Sequence, residues 1–512
     1  MKRMNKLIIF LSLAFFAVVP SCAQSTAGDT RITQAGVYTL RGKIGAVVVD
    51  APKDARVELV LSGAEISGGK NAAIYCKGAK SLVITLADGT KNVVTDAKSY
   101  AYDNREKEEP DAAIFSASDI TVQGTGSLTV NANHRHGILS KDDLKIKGGT
   151  LSVHAKSDAL RGKDSVTVSG GTVLLEAGKD GISSTNATDE KKGWVRLEGG
   201  SVTIHANGDA VQAESSLFVT GGLFDITTDG KSAGKSKSQK GLKAGADITI
   251  ENGTFRFSTA DDAINAGRDT TIRGGDFSIR SGDDGIHADR TLTIDDGSFT
   301  ISECYEGLEG TQVHINGGKI FINARNDAIG AAAGTDEAKA FTGRGANPLV
   351  AVHITGGEIE AVGGGDTVDS NGDIFVSGGT LRLSSPAEPF YEGALLCNGT
   401  VTVSGGSLAL VGNIGVELVA KNQPVLIVSH PNTQKSGAKI ELKAKNGATL
   451  LETTARKDFK QTIFSSPTFR IGETYALYIN GKKISDLKLT STLTKTATDG
   501  GTFTGGYPRG HW

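Results

Sequence analysis

The sequence predicts an all-β chain: a right-handed parallel β-helix of about fourteen coils followed by a small C-terminal antiparallel β domain. Three observations carry that expectation. Gly253, Gly275, Gly297 and Gly318 recur at intervals of 22, 22 and 21 residues. Between them, apolar residues alternate with period two in three short runs separated by Gly, Asn and Asp, which marks strands rather than helices. An acid stands nine residues after each glycine: Asp262, Asp284, Glu306 and Asp327. Leucine-rich repeats would need a Leu-x-x-Leu-x-Leu pattern, and calcium-binding nonapeptide arrays a Gly-Gly-x-Gly-x-Asp repeat. Neither is present. A left-handed helix would show hexapeptides.

Taken in order, the chain opens with Lys2, Arg3 and Lys6 and an apolar run from Leu7 to Val19, the pattern of a secretory signal over residues 1–22. Two endings fit. Val19-Pro20-Ser21-Cys22 resembles a lipobox that would acylate Cys22, while Ser21-Cys22-Ala23 also suits ordinary cleavage. The expected location is the outer membrane or cell surface as a lipoprotein, otherwise secreted or periplasmic, with the membrane met only through that anchor. Residues 23–44 are read as an N-terminal segment or cap. The β-helix is read over 45–412, a rod of about 65 Å at one strand spacing per coil. Length alone would suggest three domains, but a solenoid grows without dividing because each coil touches only its neighbours.

Composition agrees with this class: 67 Gly, 10 Pro and no long amphipathic helical pattern. A net charge of −2 with interspersed signs excludes a nucleic-acid partner. Cys76, Cys304 and Cys397 are odd in number and far apart, so they read as small buried hydrophobes. A monomer is expected.

Stacked coils turn sequence position into columns spaced by about 4.8 Å. Phe224, Phe255, Phe277 and Phe299 stand two residues after their glycines and are expected to form a buried phenyl stack. The acid column comprises Asp158, Asp180, Asp209, Asp262, Asp284, Glu306, Asp327 and Asp366. Like charges at that spacing repel by roughly 3.5 kcal/mol per adjacent pair at an effective dielectric near 20. Two explanations stand. Asp is a good turn residue that bonds local amides, and Ca²⁺ bridging neighbouring carboxylates would remove the repulsion.

Insertions lengthen four coils beside this column: Ser184 to Gly193, Asp229 to Gln239, Ala331 to Pro348 and Ser385 to Tyr391. They are read as walls of a groove, since loops carry function on repeat scaffolds. Lys191, Lys192, Lys231, Lys235, Lys237 and Lys240 bring positive charge there, and Trp194, Tyr305, Phe341 and Tyr391 are candidate stacking residues. Lys240, Lys243, Trp194 and Tyr305 are the candidate carbohydrate contacts. Asp96 to Pro110 is read as a polar inserted loop, charge-dense from Asp103 to Glu109. After Gly412 the pattern shifts to short alternating strands with a turn at Asn480-Gly481, a hairpin signal. A small β domain over 413–490 is expected to cover the open end, with a flexible Gly/Thr-rich tail over 491–512.

Several stretches carry a family resemblance: Asp-Ala-Ala-Ile-Phe-Ser at 111–116, Ser-Lys-Asp-Asp-Leu at 140–144, Gly-Ile-Ser-Ser-Thr-Asn at 181–186, Gly-Leu-Lys-Ala-Gly at 241–245, Ser-Gly-Asp-Asp-Gly-Ile-His-Ala-Asp at 281–289 and Tyr-Glu-Gly-Leu-Glu-Gly at 305–310. The chain resembles the bacterial calcium-binding, polygalacturonate-binding right-handed parallel β-helix surface proteins, the carbohydrate-binding domain-containing proteins. The resemblance covers nearly the whole mature chain. It implies a surface protein that binds Ca²⁺ and an acidic, pectin-like polysaccharide without turnover, the metal falling on the acid column. His134-Arg135-His136 departs from it, since the family tends to place an Asp before the glycine. Two alternatives remain open. One is a calcium-dependent lyase, for which Arg161, Lys179 and Lys243 are candidate bases. The other is an adhesin or spacer merely rigidified by calcium.

Overall fold

The computed structural model describes residues 21–22, 28–102, 108–228, 238–343, 345–387, 392–414 and 417–499. The chain is all-β. One large, mostly parallel sheet of 46 strands is joined by a separate four-stranded sheet, and the sole helix among the described residues is the single turn Asp336–Lys339.

Pairing links each strand to its equivalents in the preceding and following repeats. Thr254–Thr259 pairs parallel with Leu223–Thr228 on one side and Asp276–Ser281 on the other. Ile264–Ala266 pairs with Leu242–Ala244 and with Ile286–Ile294. Ile248–Ile250 pairs with Leu217–Val219 and Asp269–Ile272. Three ladders result: a long one built on six-residue strands, a short one on three-residue strands, and a third. The short ladder directly follows the acid column.

The glycine anchors have a steric cause. Gly275 sits at φ +115, where a side chain is strained, and a Cβ there would lie 2.8 Å from the carbonyl oxygen of Gly253. Alternation then decides the core. In Thr254–Thr259 the side chains of Thr254, Arg256 and Ser258 are exposed while Phe255, Phe257 and Thr259 are buried. Phe224, Phe255, Phe277 and Phe299 form the expected stack, with centroids 4.9, 4.8 and 4.6 Å apart. The spacing is that of the strands carrying them. Cys76, Cys304 and Cys397 are buried free thiols.

Both ends differ from expectation. Parallel pairing begins before residue 45, because Thr30–Ile32 already pairs with Val47–Asp50 and Gly36–Ile44 with Arg56–Ser67. At the other end, Phe459–Ser465 runs antiparallel to both Ser407–Val411 and Val425–Gln434 and so interrupts the parallel order. The strands Lys439–Lys443, Thr449–Thr454, Thr474–Ile479 and Lys482–Lys488 form the antiparallel sheet. Asn480 and Gly481 both adopt positive φ in its hairpin turn, as Asn-Gly predicts. Part of the expected tail is ordered: Leu493–Ala497 pairs parallel with Val425–Gln434 and buries Thr494 and Ala497. Its Thr-rich composition, read as flexible, is also β-branched and suits a strand. Residues 1–20, 23–27, 103–107, 229–237, 344, 388–391, 415–416 and 500–512 lie outside the described residues, and with them most of the leader, Lys231, Lys235, Lys237 and Tyr391. The strand Ser21–Cys22 is described without its side chains, so nothing bears on Cys22 as an acylation site.

Candidate cation site along an acid row

The pairing register of the short ladder places the eight predicted acids in one row. Ile138, Leu160, Ile182, Val211, Leu242, Ile264, Ile286, Leu308, Ile329 and Val368 are mutual partners in succession. Two residues before each stands the row itself. It begins at His136, passes through Asp158, Asp180 and Asp209, and is interrupted by Lys240. It resumes with Asp262, Asp284, Glu306, Asp327 and Asp366. Lys240, expected as a peripheral contact, is a member of the row; the insertion before it had hidden the register.

One carboxylate oxygen is generally held by the next unit. The backbone N–H of Asp209 donates to Asp180 Oδ1 at 3.0 Å, that of Lys240 to Asp209 Oδ1 at 2.8 Å, and that of Asp284 to Asp262 Oδ1 at 3.1 Å. Farther along, Asp366 N donates to Asp327 Oδ1 at 2.8 Å and Gly393 N to Asp366 Oδ1 at 2.5 Å. Turn chemistry is therefore real, and it leaves the second oxygen free for a cation.

In the lower half of the row that cation is a side chain. Arg161 Nη1 lies 3.1 Å from Asp158 Oδ2, whose carboxylate is fully buried and also accepts from Ser183 Oγ at 3.0 Å. Lys179 Nζ lies 2.8 Å from Asp180 Oδ2, and Lys243 Nζ 3.2 Å from Asp209 Oδ2. Lys240 Nζ bridges Asp261 Oδ1, at 3.0 Å, and Asp262 Oδ2. Burial would lower the Lys240 pKa, but Asp262 and Asp261 outweigh it and raise it. Asp180 is still raised, by burial and then by the Asp158 charge.

In the middle, His287 takes over. Its Nδ1 lies 2.6 Å from Glu309 Oε2 and 3.5 Å from Asp284 Oδ2, and its Nε2 3.0 Å from Asp289 Oδ1. Burial opposes its charge, but these carboxylates prevail and push its pKa up to about 11.

The upper half has no such partner. Among the described residues, no Lys, Arg or His forms an ion pair with Glu306, Asp327, Asp366, Asp369 or Glu392. Burial, reinforced by neighbouring acids, pushes Glu306 up to about 8, Asp327 to about 6, Asp369 to about 7 and Asp366 to about 9. Carboxylate oxygens of Asp327, Asp366 and Glu392 lie within 4.8 Å of one another. Two other groups meet the same condition, Asp261 with Asp262 and Asp283, and Asp284 with His287 and Glu309. Lys240 or His287 already supplies positive charge in those.

Gly365 shows that the space among the upper acids is kept open. A Cβ there would stand 2.8 Å from Asp327 Oδ1, 3.0 Å from Asn326 Oδ1 and 3.3 Å from Glu392 Oε2. An all-oxygen donor set converging on a cradle fits a hard cation such as Ca²⁺.

The remaining predicted contacts separate. Tyr305 precedes Glu306 and is 46% exposed beside the row. Trp194 lies on the third ladder opposite Ser165, with the Arg196 guanidinium 5.3 Å from its ring centre, and takes no part in the row. Lys192 pairs with Asp164 at 2.7 Å. Phe341 is an exposed residue of the Ala331 to Pro348 insertion. Sequence reasoning missed Glu309, Asp369 and His287, although each stands three residues after a row member, as Arg161 and Lys243 do. The centre of each short strand is that signal, since its side chain reaches back to the row: Arg161 lies 3.1 Å from Asp158 and His287 3.5 Å from Asp284.

The geometry defines an all-β protein with a long row of carboxylates, part paired internally and part not. Sequence comparison supplies the family: carbohydrate-binding domain-containing proteins match residues 27–285 and 283–410, and the chain belongs to that family. A carbohydrate-binding domain-containing protein of Acetivibrio thermocellus is 44% identical over 129 residues, 25% of this chain and 45% of the relative. The match thus spans less than half of that relative's length. A solved polysaccharide lyase-like protein from C. thermocellum, a gadolinium derivative, shares 39% identity over 39% of this chain and 82% of its own, with a TM-score of 0.38.

Proposed function

We propose that this chain is a non-catalytic, calcium-dependent binder of acidic polysaccharide, built on a right-handed parallel β-helix and displayed outside the cell through its N-terminal leader. The observation that carries the reading is the cradle at Gly365. Asp327, Asp366 and Glu392 bring carboxylates together where, among the described residues, no Lys, Arg or His pairs with them. Ca²⁺ held there would keep coordination positions for uronate carboxylates and reverse the local sign of charge. Tyr305 offers an exposed ring beside the same row. Repeated weak contacts along a polymer then add by avidity. Family membership supports the carbohydrate partner.

The candidate lyase bases are each engaged. Arg161 rests on Asp158, Lys179 on Asp180 and Lys243 on Asp209. Burial opposes the Lys179 charge, but Asp180 and Asp158 raise its pKa, the reverse of what a general base requires. The test is bound-metal analysis with retention on polygalacturonate, in calcium and in EDTA, for the wild type and Gly365→Ala. The wild type should hold calcium and be retained only with it, and the variant should do neither. Metal-free wild-type protein, or unsaturated products absorbing in the ultraviolet, would overturn the reading.

A further inference from the structure

A second feature lies across the corner from the acid row. An open groove of about 910 Å³ runs over six stacked strands of the long ladder, from Ser127–Ala132 to Thr254–Thr259. Its size is that of a ligand site rather than a surface dimple. The row acids do not face it: Asp158 and Asp209 turn toward Arg161 and Lys243 on the short strands.

The groove exists because of what the sequence places at the strand ends. Ala132, Ala155, Ala177 and Ala206 are register partners, so its floor is low. Above them, Asn131, His154, Glu176, His205 and Thr227 form one outward file, advancing one residue per strand. The file is closed off past Ser258, where Arg280 pairs with Glu303 at 2.7 Å.

Its polar groups are held in place. Asn131 Nδ2 donates to Thr95 Oγ1 at 3.2 Å, which leaves its Oδ1 as an acceptor. The Asn133 N–H donates to Asp96 Oδ1 at 2.5 Å, and its Nδ2 to the Asp96 carbonyl at 3.2 Å. His154 is fixed between Ser152 Oγ at 3.2 Å and Glu176 Oε2 at 2.7 Å. Farther along, the side chains of His205 and Asn207 are exposed and make no hydrogen bond among the described residues.

We infer that this groove is a second glycan site, one that reads the hydroxyls of an uncharged polysaccharide without calcium. Amides and imidazoles offer donors and acceptors together, which matches vicinal hydroxyls. Among the described residues the one lining carboxylate, Glu176, is engaged by His154, and Lys156 is the sole lining ammonium, so their charge pattern is not one suited to a polyanion. The strand spacing of about 4.8 Å is close to the advance of one pyranose unit along a chain. Among the described residues no Phe, Tyr or Trp lines the groove, so affinity would come from hydrogen bonds and repetition rather than from stacking on such rings.

Native affinity electrophoresis tests this with gels containing arabinoxylan, galactomannan or mixed-linkage β-glucan, and separately polygalacturonate, each in calcium and in EDTA. The wild type should be retarded by at least one neutral polymer equally in both conditions. A His205→Ala/Asn207→Ala double variant should lose about tenfold in that affinity, as expected for two lost hydrogen bonds. Its melting temperature and its behaviour on polygalacturonate should not change. Absence of retardation by all three neutral polymers, or an unaltered double variant, would overturn the inference. Failure of the wild type to be retained by polygalacturonate in calcium, or equal retention in EDTA, would count against the calcium reading alone.

Discussion

The lower and upper halves of the acid row occupy the same register slot and solve the same electrostatic problem differently. From Asp158 to Asp262 the chain encodes its own counter-ions, with Arg161, Lys179, Lys243 and Lys240 each on a row carboxylate. From Glu306 to Asp366 it encodes more acids instead, adding Glu309, Asp369 and Glu392 around the row. A buried charge must be paired or neutralised. The lower half is neutralised within the chain, while the upper half must take up protons or an external cation. The same repeat position is thus paired within the chain in one part of the sheet and, among the described residues, unpaired in another.

The largest effect should come from breaking the lower half. Asp158 is fully buried, and Asp158→Ala strands the partly buried Arg161 guanidinium while removing the acceptor for Ser183. A loss of about 3 kcal/mol is expected, measured by chemical denaturation. It should be equal in calcium and in EDTA. A deficit that calcium repairs would show that the two halves do not divide the labour in this way.

The upper half should respond with a crossing. Asp366→Asn replaces a carboxyl that the folded chain can bury at pH 8 only by holding a proton the unfolded chain releases, so the variant should melt higher than the wild type in EDTA at pH 8. In calcium the order should reverse, with affinity lower by about tenfold or more, about 1.4 kcal/mol. The pH dependence has a definite sign. With Glu306, Asp327, Asp369 and Asp366 raised to about 8, 6, 7 and 9, the folded protein keeps protons that the unfolded chain releases near its ordinary carboxyl range. The contribution of these four groups to stability in EDTA should therefore be fully present below that range and fall as pH rises toward 9, so the wild type should be more stable at pH 5 than at pH 8.5. Melting curves at pH 5 and pH 8.5 check it, and stability rising with pH would sink the assignment.

How much of this was legible before any coordinates follows from what sets each feature. The phenyl stack and the glycine anchors were readable because both repeat at a fixed spacing and depend only on the chain's own period. The acids were readable for the same reason, and the register brings all eight together. Lys240 was not, because an eleven-residue insertion, Asp229 to Gln239, displaces it from the nine-residue offset. The division between halves was hidden too, since it depends on side chains one strand position away: Arg161 and Lys243 in one half, Glu309 and Asp369 in the other. Trp194 shows the opposite limit. An aromatic near an insertion looks like a sugar platform in one dimension, yet its strand belongs to another ladder. The His154 and Asn131 file left no trace in the repeat, because its members share polarity rather than identity.

The smallest effect sharpens the comparison most. Lys240 is the point at which the chain replaces a carboxylate of the row with an ammonium, and its side chain is only 16% exposed. Lys240→Gln removes the charge and leaves Asp261, Asp262 and Asp283, whose oxygens already lie within 4.8 Å of one another, without a cation. That gives the lower half the character of the upper one. In EDTA the variant should lose about 1 kcal/mol, since the partners are partly solvated and the pair is worth less than a fully buried one. In calcium the deficit should disappear, and metal analysis should find one more ion per chain than in the wild type. If the deficit persists in calcium with no extra ion, convergence of carboxylates is not sufficient to hold the metal. The lower half has a glycine in the same slot, Gly208, whose Cβ would meet one carboxylate, that of Asp180, whereas at Gly365 two carboxylates converge, Asp327 and Glu392; that convergence would then be the feature that decides where calcium sits.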